Sequence, residues 1–368
     1  MRPITGFVLI FLCALSHPTT GNAQGISDRE RDKLRGPARS IRVELAQVWP
    51  TSGRPIEINR RPHQQVTYNE AGFEIERINF NADGSLENRT VQRYEGAGRK
   101  TGWEEYYGDA RESPHHRSDW FYNEAGNLIE VRVYNGTSVD LRILSAYDEH
   151  GRKFEESRIA DNGLHIERTT HEYNAAGQPA DTTYYFNDVL NGRTLRRYDA
   201  AGRLQRETHL NGQSPNSVST THYFYDDRGR ETEKRSEDDV LWNRVKTSYD
   251  ALGRVAKRET LMGYKSPNVT MSHAPKPGTV TFRYDNVGRQ VEEASYDSAG
   301  ALVQKRVSTF NAFGALVEEV WLSADPNWIA RTSFVYDSHG NCIKTTTSTT
   351  GEKGNQTVSV EHRFITYY

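Results

Sequence analysis

Three groups of side chains stand at spacings that could do chemistry. His115 and His116 lie near Asp119, the residue types that hold a divalent metal. Glu155-Glu156 and Glu292-Glu293 are paired carboxylates, the equipment of general acid and base catalysis. Trp103, Trp120, Trp242 and Trp321 belong to a set of 6 Trp and 20 Tyr, flat amphipathic rings suited to stacking on sugars or gripping a protein partner.

Each chemistry requires convergence, and the elements decide whether convergence occurs. Adjacent residues of a strand point to opposite faces, so neither the two histidines nor the paired glutamates meet on one bond or ion. No third ligand stands at a metal-site spacing, and the histidines read as solvated loop residues. The glutamates read as partners for arginines on neighbouring strands, each pair contributing roughly 0.2 to 1 kcal/mol. No serine nucleophile elbow, phosphate-binding loop or Cys-His arrangement is present. The expectation is a protein without catalytic residues, metal or cofactor. The aromatic rings keep two readings: a binding platform, or cross-strand ladders that replace a core.

The elements follow from a repeat. Eleven times an aromatic residue is followed by Asp or Asn (Glu95 once), two variable residues and a glycine, beginning at Tyr68, Tyr94, Tyr122, Tyr147, Tyr173, Tyr198, Tyr225, Tyr249, Tyr284, Phe310 and Tyr336. The closing glycines are Gly72, Gly98, Gly126, Gly151, Gly177, Gly202, Gly229, Gly253, Gly288, Gly314 and Gly340. A period near 26 residues marks a repeat architecture. The acidic or amide side chain can accept from a backbone N–H two residues on, the variable pair makes a type I turn, and the glycine takes φ > 0 to close a bulged hairpin. About a dozen residues after each aromatic comes a second turn, as at Asn81-Ala82-Asp83-Gly84, Asn135-Gly136 and Asp297-Ser298-Ala299-Gly300. Each period is thus two strands, and the array reads as an all-β antiparallel meander of about 22 strands, curled into an open or barrel-like sheet.

These residues resemble the YD repeats of the rearrangement-hotspot (Rhs) family, over residues 68 to about 345. In that family the resemblance implies long arrays wound into a hollow β-shell that can enclose a C-terminal toxin. For this chain it implies a partial shell, or an accessory component of a toxin-delivery system.

Met1 to Ala23 has the form of a secretory signal peptide, with Arg2, an apolar run from Phe7 to Leu15 and a cut expected before Gln24. That run is too short to span a bilayer, and Cys13 lacks the small residues of a lipid-modified site. Once the leader is removed only Cys342 remains, so no internal disulfide is expected. Opposite charges are interspersed and the net charge is −2, which argues against a nucleic-acid face. The expected division is a signal peptide at 1–23, a helix and first strand at 24–66, and one repeat domain at 67–368. Ser27-Asp28-Arg29-Glu30 is a capping box and Gly36 a helix stop, predicting a helix over 28–35 that covers an open sheet edge. Ser40 to Gln47 alternates as a first strand.

Variation is confined to the turns opposite the motif: Gly108 to Arg117, Asn187 to Asn191, Asn211 to Ser217, Met262 to Gly278 and Ser323 to Asn327. They fall on one rim of a meander. The expected function is an exported, secreted or periplasmic, non-enzymatic scaffold that offers a face or rim to envelope carbohydrate or a protein partner. An outer-membrane barrel is disfavoured by strands such as Lys153 to Ile159, which place charges on both faces.

Overall fold

A computed structural model describes residues 26–49, 56–96, 98–108, 113–214, 217–265, 277–324, 328–350 and 356–368. The expected signal peptide, the lipidation question at Cys13, and Pro267 and Pro275 of the longest loop lie outside the described residues. A single turn of helix, α1 (Asp28–Arg31), precedes β1 (Ala38–Trp49), β2 (Ile56–Tyr68), β3 (Glu74–Phe80), β4 (Leu86–Glu95), β5 (Arg99–Tyr107), β6 (His116–Tyr122), β7 (Leu128–Asn135) and β8 (Ser138–Tyr147). Then come β9 (Lys153–Ala160), β10 (His165–Tyr173), β11 (Pro179–Phe186), β12 (Val189–Tyr198), β13 (Leu204–Asn211), β14 (Val218–Tyr225), β15 (Glu231–Glu237) and β16 (Leu241–Tyr249). The chain ends with β17 (Val255–Tyr264), β18 (Gly278–Tyr284), β19 (Gln290–Asp297), β20 (Leu302–Phe310), β21 (Leu316–Ser323), β22 (Ile329–Tyr336), β23 (Cys342–Thr350) and β24 (Gln356–Tyr367).

Each strand pairs antiparallel with its sequence neighbours, and β1 also pairs with β24, from Ala38 opposite Tyr367 to Gln47 opposite Ser359. The sheet is therefore a closed 24-stranded barrel. The expected array of about 22 strands corresponds to β2 to β23, β1 covers the first strand expected over Ser40 to Gln47, and β24 is the strand that no motif turn announced. Of the open or barrel-like forms expected, the sheet takes the closed one, and the pairing of β1 with β24 leaves no open edge there for α1 to cover.

The helix is shorter than the predicted 28–35 for a local reason. Lys33 adopts a left-handed φ of 58°, Lys33 N–H donates to Glu30 C=O and Leu34 N–H to Arg29 C=O, a stop of the Schellman type. Gly36 has φ 70° but lies beyond that stop, next to the His339 ring.

All eleven motif glycines have positive φ, from 75° at Gly151 to 108° at Gly98. At Tyr198 the hairpin is built from Asp199 N–H to Arg203 C=O and Gly202 N–H to Asp199 C=O, with the register slipping between Arg197 and Tyr198. That is a type I turn followed by a one-residue bulge. Because motif turns join even strands to odd ones, they form one rim, and the variable turns form the other.

The pairing also fixes the stagger. The row through Trp103, five residues past Gly98, meets Ser118 and then Val133, seven residues past Gly126. Rows thus climb two residues per hairpin, which tilts the strands. Strands spaced about 4.8 Å apart and tilted by about 35–45° place opposite walls roughly 45 Å apart, wider than side chains can fill.

Partners traced round the ring define two faces. Both carry mid-strand ion pairs: Glu76–Arg89, Glu130–Arg142 and Glu233–Arg244 on one, Arg158–Glu167, Arg196–Glu207 and Glu293–Arg306 on the other. The second face also has hydroxyl, amide and imidazole rungs, among them Asn79 to Asn88 at 2.7 Å, Thr194 with His209 at 3.2 Å and Thr221 with Ser236 at 3.0 Å. Among the described residues, eight of the eleven buried hydrophobic side chains belong to the N-terminal segment, β1, β2 or β24. The apolar core is therefore a patch at the closing seam, with Leu34, Ile41, Val43, Val66 and Tyr68 packed against Ile365 and Tyr367.

The turn geometry sets an expectation for stability. Gly202→Val should cost about 1–3 kcal/mol, because it forces a β-branched residue to φ 77°. Ala201→Val, on an exposed neighbour, should change stability by less than about 0.5 kcal/mol. Equal denaturation midpoints for the two variants would contradict this turn assignment.

Candidate functional site

The motif rim is built from the same few contacts repeated. The Asp or Asn carboxyl or amide oxygen accepts from two backbone N–H groups of its own turn, as Asp226 does from Arg228 and Arg230 at 3.0 and 2.9 Å. In six copies the residue after the glycine is an arginine that returns to the motif carboxylate: Arg99 to Glu95, Arg152 to Asp148, Arg203 to Asp199, Arg230 to Asp226, Arg254 to Asp250 and Arg289 to Asp285. The same guanidinium lies over the aromatic ring of the next copy, at 5.3 Å from Tyr122, 4.6 Å from Tyr173, 4.7 Å from Tyr225, 4.3 Å from Tyr249, 4.5 Å from Tyr284 and 4.7 Å from Phe310. Each such stack contributes about 0.5–1 kcal/mol. One side chain therefore couples its own turn to the following one.

The tyrosines add a second coupling. Eight of them donate their hydroxyl to the carbonyl two residues beyond the preceding motif glycine, as Tyr122 does to Lys100, Tyr225 to Leu204 and Tyr336 to Leu316 at 2.6 to 2.7 Å. Those rings are staples between turns and are not available as a stacking platform. Burial pushes the Tyr122 hydroxyl up to about 12, which keeps it a donor at any ordinary pH. The recurring arginine after the glycine was visible in the sequence, but its bridging role depends on which turns become neighbours.

At the seam the N-terminal segment stands in for the missing motif turn. On one side Arg29 N–H donates to Gly72 C=O, Glu74 N–H to Asp28 Oδ2 at 2.9 Å, and Tyr68 Oη to Asp32 Oδ2 at 2.5 Å. On the other, Asn341, 1% exposed, accepts from Arg35 N–H at 2.6 Å and donates to Arg35 C=O and Tyr367 Oη. Tyr368 finishes the join, its N–H on Pro37 C=O and its hydroxyl on Tyr68 C=O. Asn341 stands at the motif position after Gly340, but nothing in the sequence names Arg35 as its partner, because their contact spans nearly the whole chain.

A second cluster crosses the seam. Glu57 accepts from Lys344 Nζ at 2.9 Å and pairs with His362 Nε2 at 2.7 Å. The bond from Lys344 leads the interactions that hold the Glu57 carboxyl below its ordinary value. A cleft of about 390 Å³ lies beside it, lined by Arg42, Glu44, Arg60, Gln65 and Phe364, in which Glu44 already pairs with both arginines.

The four tryptophans do not form one site. Trp103, Trp120 and Trp321 share a face, while Trp242 lies on the other, with its indole against Gly263. Of the four, Trp103 and Trp120 lie on paired strands, Trp103 opposite Ser118, and Trp120 donating to the Ser118 hydroxyl at 2.9 Å beneath Lys100. Trp321 donates to Glu319 and lies under Arg306.

The other chemical candidates resolve into ordinary contacts. His115 and His116 edge onto the Tyr107 ring, Asp119 pairs with Arg93, and no group of three metal-ligating side chains occurs among the described residues. Glu156 pairs with Lys153 on its own strand. Glu155 pairs with Arg168, Glu292 with Lys305 and Glu293 with Arg306, all cross-strand. No helix among the described residues is long and apolar enough to cross a membrane.

No protein-family model and no curated protein matches the chain. Among solved structures it is similar to a TcdB2-TccC3-TEV crystal structure, at 14% identity and a TM-score of 0.33, over 77% of this chain and 17% of that one. A Tc holotoxin pore from Photorhabdus luminescens aligns at 12% identity and a TM-score of 0.27, over 83% of this chain and 23% of that one. A porin-like protein from Bacteroides uniformis aligns at 10% identity and a TM-score of 0.20, over 90% of this chain and 98% of that one. The chain thus spans about a fifth of the length of the two Tc chains.

The rim carboxylates make stability acid-sensitive. Asp199, Asp226 and Asp250 lie below their ordinary 3.8, held there first by the backbone N–H of the following arginine and then by its guanidinium. Glu233 is held down to about 2, chiefly by its bond from Arg244. Folded values below unfolded ones mean the stabilisation is fully present above the ordinary carboxylate range and is lost as pH falls through the folded values. The melting temperature should be flat from about pH 7 to 5 and fall below about pH 4. Asp199→Asn, Asp226→Asn and Asp250→Asn together keep the turn acceptor, as Asn174 and Asn311 do, and should shallow that fall in calorimetry. An unchanged acid slope would contradict the assignment.

Proposed function

We propose that the chain is an exported, non-enzymatic binding scaffold whose barrel holds an extended guest, either envelope carbohydrate or a polypeptide. The observation that carries this reading is the pairing of β1 with β24, which closes a ring too wide for its own side chains to fill. The inner space is then wet or occupied. Charges run along both faces of the strands, so a lipid-facing apolar band has no place on the wall. Hydroxyl, amide and imidazole rungs with the Trp103–Trp120 pair supply hydrogen bonds and stacking surface, the groups a sugar chain needs. The paired glutamates, the candidates for acid and base work, are engaged in ion pairs, which supports a role without catalysis.

A second reading is supported by the interlocked turns. The motif resembles the YD repeats that build hollow shells in Rhs proteins, so the barrel could serve as a partial shell in a toxin-delivery system, its guest a polypeptide.

Residues 24–368, purified and tested at micromolar concentration on a glycan array and in pull-downs from envelope extract, should show saturable binding in at least one assay. A glycan hit favours the carbohydrate guest, and a retained polypeptide favours the shell. Blank results from both would contradict the scaffold reading.

A further inference from the structure

The motif turns are uniform in backbone but not at their tips. In three consecutive turns the residue before the glycine is a large apolar side chain left in solvent: Leu252 at 76%, Val287 at 69% and Phe313 at 96% exposure. Scattered exposed apolar residues are normal on a protein surface. Three at one structural position in successive hairpins, one of them almost fully exposed, are not scattered.

The charges at the tips are segregated in the same way. The first tip position holds Glu70, Glu124, Glu149 or Asp227 in four of the other turns, but Ala251, Asn286, Ala312 and Ser338 in the four from Leu252 to His339. The carboxylates of Asp250 and Asp285 turn back onto their own backbone N–H groups and arginines. Arg283, beside the Val287 turn, pairs at 3.3 Å with the half-buried Glu292 while its own side chain stays 71% exposed. This sector of the rim is apolar at its tips, without an outward acid, and basic at its flank.

We propose that this sector docks on a lipid bilayer surface, with Leu252, Val287 and Phe313 inserted among the lipids and the barrel standing outside. Adjacent motif turns are two strands apart, roughly 10 Å, and Asp–Arg pairs fill the gaps between them. The tips therefore offer no continuous apolar groove for a folded partner. A fluid interface accepts each tip separately, and anionic headgroups complement Arg283. Mid-strand charge on both faces stops insertion at the tips.

The test is flotation of the mature protein with vesicles of phosphatidylcholine alone and of phosphatidylcholine with phosphatidylglycerol at four to one. The protein should float with the mixed vesicles. Leu252→Ser, Val287→Ser and Phe313→Ser combined should lower partitioning at least tenfold while leaving circular dichroism and the melting temperature unchanged, since the replaced side chains lie in solvent. Ala176→Ser with Ala201→Ser, at matching tips outside the sector, should have no effect. Absence of wild-type flotation with either vesicle, or a triple variant that floats like wild type, would overturn the proposal. A wild-type dimer in size-exclusion chromatography that the triple variant abolishes, without flotation, would overturn it in favour of a second copy.

Discussion

A sheet one layer thick has no opposing layer against which to bury a face. Its backbone pairing must therefore satisfy itself completely, because an unpaired edge would expose a row of donors and acceptors to any passing strand. Closure of β1 on β24 meets that requirement, and the apolar packing gathers where closure happens. Elsewhere the wall is held by hydrogen-bonded ladders, ion pairs and stacked rings, each small and repeated many times. The arrangement explains how a chain with 35% hydrophobic residues holds a 24-stranded sheet together.

The motif rim converts local turns into a ring. An Asp that only closed its own hairpin would leave adjacent hairpins free to slide. Where an arginine follows the glycine it couples its turn to the next ring, and the tyrosine hydroxyl couples that ring back to the earlier strand. Where the motif gives out, the segment from Ser27 to Pro37 supplies equivalent ties to Gly72 on one side and Asn341 on the other. On the opposite rim the described turns are tied to their neighbours by backbone bonds instead, as Gly136 N–H to His115 C=O and Gly212 N–H to Asn191 C=O.

The local parts of this structure were legible in the sequence, and the distant ones were not. Gly202 with Asp199 announces a turn because both act within five residues, and Ser27 with Glu30 forms the capping box that the spacing describes. Gly36 misled as a helix stop, since Lys33 takes the left-handed conformation earlier and a lysine carries no signature for it. Val360 pairs with Ala46 across most of the chain, and no local pattern in Gln356 to Tyr367 names its partner. The tryptophans show the same limit. Parity within one strand is countable, but bulges beside each motif aromatic reset it between strands, so Trp242 could not be separated from Trp103, Trp120 and Trp321 by inspection. Pairing alone sets Trp103 and Trp120 on adjacent strands and one face.

Closure is the claim from which the width, the wet interior and the guest all follow. Native-state hydrogen exchange resolved to single amides tests it most directly. Paired on both sides, the interior amides of β1 and β24 should exchange as slowly as those of β12 and β13. Rapid exchange at alternate amides of β1 and β24, with β12 and β13 still protected, would show two open edges and contradict the closed barrel.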